Sequence, residues 1–239
     1  MIDNGTNPSL QSTTKGPSMT LSRQQAAQRP SDPHEFVSSV LAAYTEMYDP
    51  PSRTLRLSRT EPYPGECAVV VYLPDETEQL DPADNLTLLG TAGFGSEPLC
   101  ADFPCELAME VTGSPDEEST VALAKALADL ASVPLQNGRR FHDGQILTNV
   151  AIPLFPQFSM AMLIDWDSVY GFRFPEPVTE IGLLRVVPLF AVEADFVESS
   201  TDRHSGYRAL IGRGMIPADP ERDPVVKKTP SVQKGQSDA

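Results

Sequence analysis

The chain of 239 residues is 40% hydrophobic and 21% charged, with a formal net charge of −15 at pH 7. Its length fits one folded domain with flanking tails, since domains cluster at about 100 to 200 residues. No stretch reaches the roughly 18 consecutive apolar residues of a membrane helix, and the first residues lack the pattern of a secretion signal. We therefore predict a cytoplasmic protein that does not bind membranes and whose three cysteines stay reduced.

The negative charge is unevenly distributed along the chain. No lysine or arginine lies between Arg59 and Lys125, whereas fourteen acidic residues lie there, from Glu61 to Glu118. A surface of this sign repels the phosphates of nucleic acids and speeds the approach of basic partners. The charge pattern argues against nucleic-acid binding and favours a basic protein partner.

Residues 1–30 are rich in Ser, Thr, Gln, Asn and Pro and poor in large apolar side chains, which predicts a disordered arm.

The first predicted element is a helix that follows this arm. Asp32 then has the properties of an N-cap, and Pro33 suits the first helical position. Apolar residues recur at helical spacing as far as Tyr48, and Pro50 ends the pattern.

Strands follow the first helix. Short apolar or alternating runs predict four of them, at 54–58, 67–73, 86–90 and 105–111. In the last run, apolar residues alternate with Glu106, Ala108 and Glu110. This alternation predicts a half-buried strand with an acidic outer face.

The second half of the chain begins with the clearest helix signal. Ser114 opens a predicted capping box with Pro115 at the first helical position, and the helix runs until Pro134. Further strands are predicted at 145–151, 160–164 and 181–188, and a short helix at 190–198. We expect the last strand to be buried except near Arg185. From Met215 the composition again predicts disorder, so we place the domain at 31–214 and a disordered tail at 215–239.

Five short segments of the chain occur in an order and at a spacing that are typical of one protein family. They are LTLLGTAGFG (86–95), CELAMEV (105–111), VALAKALADLA (121–131), NGRRFHDGQIL (137–147) and VVPLFAVEADF (186–196). Over residues 32 to 200 the chain resembles the suppressor-of-fused domain, specifically its compact bacterial members. The resemblance implies an α+β fold in which mixed β-sheets pack with a few helices.

The same resemblance implies a function in protein binding. In animals such domains hold a transcription factor, and in bacteria many resemble immunity proteins encoded beside polymorphic toxins. An immunity protein binds its cognate toxin and covers the active site, which requires a complementary surface and no catalysis or cofactor. The resemblance thus implies a monomer in a 1:1 complex with a secreted effector toxin. Many such toxins are nucleases with basic clefts, which an acidic surface would complement.

Two sets of residues are candidates for the contact with a partner. The first set is acidic and lies in predicted loops of the stretch without basic residues: Asp75, Glu76, Glu78, Asp81, Asp84, Glu97 and Asp102. The second set lies in the segment with the only tryptophan and comprises Asp165, Trp166, Asp167 and Tyr170, because interfaces favour Trp and Tyr as anchors. The alternatives are a solvated acidic face that serves solubility and aromatic rings that pack as core beneath a long loop.

Signals for catalysis or metal binding are weak. His142 and Asp143 are adjacent, but no nucleophile accompanies them in a known pattern. Asp165 and Asp167 offer too few oxygen ligands for a hard cation, and Cys100 and Cys105 have the wrong spacing for zinc. We predict no catalytic, metal or cofactor site.

Three functions remain open at this point: an immunity protein, an adaptor of the same fold with another client, and an enzyme. The enzyme would be a hydrolase that assembles Asp165, Asp167 and His142 only in three dimensions. A deep pocket that gathers those three residues would favour the hydrolase.

Overall fold

A computed structural model describes residues 32–59, 65–74, 85–95, 104–137 and 140–227. The strands in these ranges are β1 (Arg53–Arg59), β2 (Gly65–Tyr72), β3 (Leu86–Ala92), β4 (Cys105–Thr112), β5 (Ile146–Thr148), β6 (Met160–Asp165) and β7 (Gly182–Leu189). The helices are α1 (Pro33–Tyr48), α2 (Glu117–Ala131), α3 (Val133–Asn137), α4 (Trp166–Tyr170), α5 (Ala191–Glu198) and α6 (Arg203–Ile211). None of these helices is long and apolar enough to cross a bilayer.

The seven described strands form one mixed sheet in the order β1-β2-β3-β4-β7-β6-β5. Every neighbouring pair is antiparallel except β4 and β7, which are parallel. Two antiparallel halves, one from each half of the chain, therefore join at the centre of the sheet. This architecture confirms the predicted α+β class with a mixed sheet and a few helices.

Helix α2 covers one face of the sheet. Leu123 and Leu127 of α2 pack in one cluster with Leu107 of β4 and Val186 of β7. The helix begins at Glu117 because the carboxylate of Asp116 accepts the N–H of Ser119 at 2.7 Å. The predicted capping box at Ser114 is therefore wrong by two residues.

Helix α1 covers the opposite face. The predicted cap is confirmed, since the Asp32 carboxylate accepts the N–H groups of His34 and Glu35. The Tyr44 ring is fully buried over β3, where a Cβ added to Gly90 would lie 2.4 Å from the tyrosine oxygen. Only glycine at position 90 leaves room for this close approach of helix and strand.

The acidic side of β4 lies beneath α1, so the expected acidic outer face is wrong. Glu106 is 0% exposed and Glu110 is 7% exposed. The Glu106 carboxylate accepts the N–H groups of Gly93 and Gly95, each at 2.9 Å, and the hydroxyl of Thr91 at 2.7 Å. Glu106 thus closes the turn after β3 from within the core, and burial raises the pKa of its carboxyl.

The titration of Glu106 predicts how stability changes with pH. Because its folded-state pKa is raised above the unfolded value of about 4.3, the protonated form stabilises the fold, and this contribution is lost as the pH rises. The free energy of unfolding of the native chain should therefore fall relative to that of Glu106→Gln from about pH 4 towards neutral. Urea denaturation across this range measures the difference.

Glu176→Gln, at an exposed loop position, is the matched control for the loss of a carboxyl group. A native chain that gains stability relative to Glu106→Gln as the pH rises would contradict the prediction. That result would mean that the hydrogen bonds to Glu106 outweigh its burial.

Helices α5 and α6 lie on the same face as α1, over β6 and β7. Val197 of α5 and Leu210 of α6 are fully buried against Met162 of β6 and Leu189 of β7. Leu183 of β7 packs with α1 instead. Since Leu183 and Leu189 are an even number of residues apart, they point to the same side of the strand.

Residues 215–227, the C-terminal segment, pack onto this layer. The Arg222 guanidinium donates to both oxygens of Glu193, at 2.7 and 2.8 Å, and lies 4.8 Å from the centre of the Phe158 ring. Glu193 is 0% exposed, and Met215 is buried as well. The expected disorder from residue 215 is thus wrong as far as Lys227, because a buried carboxylate holds the segment. Residues 228–239 and the predicted arm at 1–30 lie outside the described residues.

The C-terminal segment should contribute several kcal/mol to stability. A chain that ends after Gly214 leaves Glu193 buried without its arginine, and breaking a buried ion pair in this way costs about 3–5 kcal/mol. A chain that ends after Lys227 keeps all the described residues of the segment and is the control. Chemical denaturation of both chains measures the effect, and equal midpoints would contradict the expected role of Arg222.

Candidate partner-binding surface

The only tryptophan of the chain joins α4 to the end of α1. Trp166 is 2% exposed, and its indole N–H donates to the Tyr48 hydroxyl at 2.6 Å. Its ring lies 4.6 Å from the ring of Tyr170 and 6.4 Å from that of Tyr48. Trp166 is therefore core, as is Phe174, also 2% exposed, and the alternative interpretation of this segment holds for both rings.

Tyr48 and Tyr170 contact the Trp166 ring, and Tyr72 and Phe172 contact Tyr48 in turn; we call these four rings the aromatic surface. The Tyr48 ring lies 5.6 Å from Tyr72 and 6.4 Å from Phe172. Phe172 is 54% exposed and Tyr170 is 36% exposed. Val169, which precedes Tyr170, is exposed too. Exposed apolar side chains concentrated at one place are typical of an interaction site.

A buried ion pair supports the aromatic surface from below. The Tyr170 hydroxyl donates to Glu110 at 2.6 Å, and Glu110 pairs with Arg185, whose side chain is 9% exposed. The Arg185 guanidinium lies 5.6 Å from the centre of the Tyr170 ring and also donates to the Tyr207 hydroxyl. The expected exposure near Arg185 is wrong because α4 and α6 cover this position of β7.

The hydroxyl groups of the aromatic surface remain protonated. Burial raises the pKa of Tyr48 and of Tyr72 to about 12, and it raises the pKa of Tyr170 as well. The charge of Asp49, which ends α1, also contributes to the shift of Tyr72. Asp49 and Glu46 are exposed, and neither forms an ion pair within the described part of the chain.

The seven acidic loop residues predicted to contact a partner all lie outside the described residues: Asp75, Glu76, Glu78, Asp81, Asp84, Glu97 and Asp102. Residues 75–84, which carry five acidic side chains, follow Pro74 and thus begin three positions after Tyr72.

Asp165 and Asp167 line a small cavity of about 200 Å³ together with Arg173 and Thr179. Asp167 accepts a hydrogen bond from the Arg173 guanidinium at 2.5 Å. Burial raises the pKa of Asp165, and the charge of Asp143 adds to the shift. The cavity is lined by an ion pair between Asp167 of α4 and Arg173, which follows that helix.

Of the three residues predicted for a hydrolase, His142 does not line the cavity of Asp165 and Asp167. Nδ1 of His142 contacts the backbone oxygen of Asp143 at 2.9 Å. The Asp143 carboxylate instead contacts His204 of α6 at 3.0 Å and accepts the N–H of Asp165 at 2.9 Å. His204 was missed in the sequence because α6 brings it from a distant position. Among the described residues, no cluster of three or more His, Cys, Asp or Glu could hold a metal ion.

The fold is similar to that of two solved structures. The first comes from Neisseria gonorrhoeae FA 1090 and is described as a SUFU (suppressor of fused protein) homolog. Superposition of this chain on that structure gives a TM-score of 0.61 at 14% sequence identity, and it covers 82% of this chain and 100% of that chain. The second is the crystal structure of the Sufu–Fu complex, with a TM-score of 0.54 at 11% identity over 79% of this chain and 91% of that one.

These comparisons establish a suppressor-of-fused-like fold, which confirms the fold that the sequence resemblance implied. At such identities they establish the fold alone. No family model matches the chain, and no curated protein does.

The buried ion pair predicts a characteristic pattern of stabilities. Arg185→Met leaves Glu110 buried without a cation and should lower the free energy of unfolding by about 3–5 kcal/mol. Adding Glu110→Gln removes the uncompensated charge and keeps an acceptor for Tyr170, so the double variant should recover much of the loss. Urea denaturation measures all three chains. Arg53→Met, which breaks an exposed pair with Glu117, is the control and should change stability by under about 1 kcal/mol.

Proposed function

We propose that the protein is an immunity protein that neutralises a cognate toxin by binding it and occluding its active site. The observation that carries the proposal is an exposed aromatic surface, on a chain that has fourteen acidic residues and no lysine or arginine between Arg59 and Lys125. The suppressor-of-fused-like fold supports it, since one of the similar structures is itself a protein complex.

The acidic stretch and the aromatic surface would serve different steps of binding. Long-range attraction by the acidic residues accelerates encounter with a basic surface, and it weakens as salt is added. Aromatic side chains that lose their contact with water supply much of the energy that holds a complex together. A toxin with a basic substrate cleft has both the charge and the exposed surface that this arrangement would match.

The proposed contact residues follow from this division. Tyr170 and Phe172 are the proposed anchors, and Asp165 and Asp167 lie at the edge of their loop. The seven acidic loop residues remain proposed steering residues. Trp166 would act indirectly, by supporting the rings above it. We propose that the protein acts in the cytoplasm as a monomer in a 1:1 complex.

An adaptor of the same fold with another client is the second candidate. The aromatic surface favours it equally, because exposed rings bind proteins of many kinds. Protection of cells from a toxin encoded beside the gene of this protein would distinguish the two functions, since an adaptor with another client would not neutralise that toxin.

Co-expression tests the proposal. Cells that produce the toxin module encoded beside this gene should survive when they also produce the native protein, and the two proteins should co-purify in a 1:1 ratio. Phe172→Asp should weaken protection, because a charge at the centre of an apolar contact carries a desolvation cost. Ile216→Asp changes a residue that is 50% exposed outside the aromatic surface, and it should protect like the native chain. Growth of cells at graded toxin expression gives the measurement.

Failure of the native protein to protect contradicts the immunity function. Co-purification with a different client, together with absent protection, would support the adaptor instead. Equal protection by Phe172→Asp and the native chain would contradict the placement of the anchor.

A further inference from the structure

We propose that the aromatic surface binds an arginine side chain of the partner, which stacks against Phe172 and Tyr48. The inference rests on the proposed protein-binding function and adds the chemistry of the contact. The occupant is a partner segment with an exposed arginine flanked by apolar residues.

The ring of Phe172 is accessible for such a contact. It is 54% exposed, and the Tyr48 ring meets it in an edge-to-face arrangement at 6.4 Å. Among the described residues, no cation lies over the rings of Phe172, Tyr48 or Tyr72. The neighbouring Arg173 is held by Asp167 instead. An incoming cation would therefore meet no competing positive charge on these rings.

Other aromatic rings of this protein already bind guanidinium groups. Arg213 lies 4.4 Å from the centre of the Phe196 ring, and Arg222 lies 4.8 Å from that of Phe158. Within the aromatic surface itself, Tyr170 has Arg185 at 5.6 Å on its buried side. The negative face of an aromatic ring attracts a cation, and a planar guanidinium stacks there with little loss of hydration.

The charges at the rim select a cation over a neutral or acidic group. Asp49 lies close enough to Tyr72 to raise the pKa of that tyrosine, and Glu46 is exposed on the same end of α1. Neither carboxylate has a basic partner in the described chain. An arginine in this position gains attraction from Asp49, whereas a glutamate would be repelled.

A pair of short peptides tests this inference on the full chain. One probe is acetyl-Leu-Arg-Leu-amide, and the other carries citrulline, a neutral group of nearly the same shape, in place of arginine. Fluorescence of Trp166, which contacts Tyr48 and Tyr170, reports binding, and NMR signals of the Phe172 ring locate it. The arginine peptide should bind about two- to thirtyfold more tightly than the citrulline peptide.

Variants locate the site. Phe172→Ala should weaken binding of the arginine peptide by about two- to thirtyfold, because the stacking ring is lost. Ile216→Ala, an equally exposed apolar position elsewhere, should bind like the native chain. Thermal unfolding of both variants verifies that each is folded.

Three outcomes overturn the inference: equal affinity for the two peptides, unchanged affinity in Phe172→Ala, and no binding at about 10 mM peptide. None of these affects the co-expression experiment, so protection of cells would then leave the proposed function standing. Conversely, selective binding of the arginine peptide without any protection would support the cation site and contradict the toxin-neutralising function.

Discussion

The ion pair between Glu110 and Arg185 lies at the point on which the rest of the architecture depends. Its two residues belong to β4 and β7, the only parallel pair among the described strands and the junction between the two antiparallel halves of the sheet. Ala108 pairs with Arg185, so Glu110, two residues further along on the same face, comes within reach of the guanidinium. A pair of charges in this position is costly to break, because either group alone would remain buried.

The same pair organises the helices that lie above it. Tyr170 of α4 donates to Glu110, and Tyr207 of α6 accepts from Arg185. These contacts fill the space between the α1 cluster and the α5–α6 cluster, which lie side by side on one face of the sheet. Tyr170, the ring of the aromatic surface that contacts this pair, is therefore held in place and has less conformational freedom to lose when a partner binds.

Buried carboxylates recur in this strongly acidic chain, and each has a different set of partners. Glu106 accepts backbone N–H groups of a turn, Glu110 pairs with an arginine of a neighbouring strand, and Glu193 holds the C-terminal segment through Arg222. Acidity in the sequence thus has two meanings in the fold. Part of it joins distant segments inside the protein, and only the exposed remainder is free to act on a partner.

The sequence by itself determined the elements whose signals are local. The Asp32 cap, the apolar face of α1 and the strand runs of β2 and β4 depend on neighbours within a few residues, and their positions were predicted closely. The order of these elements also led to the correct fold, because the order reflects the whole topology.

Only the tertiary structure decided which polar groups are buried. The alternating sequence of β4 predicted that the side with Glu106 faces solvent. No local pattern shows that α1, which lies far earlier in the chain, covers this side. The sequence predicted that Trp166 contacts a partner, but its N–H donates to Tyr48 inside the protein. The polar C-terminal segment was predicted to be disordered, but Arg222 pairs with Glu193. The physical reason is the same in each case: burial of a polar group depends on a partner distant in sequence, and no local pattern encodes that partner.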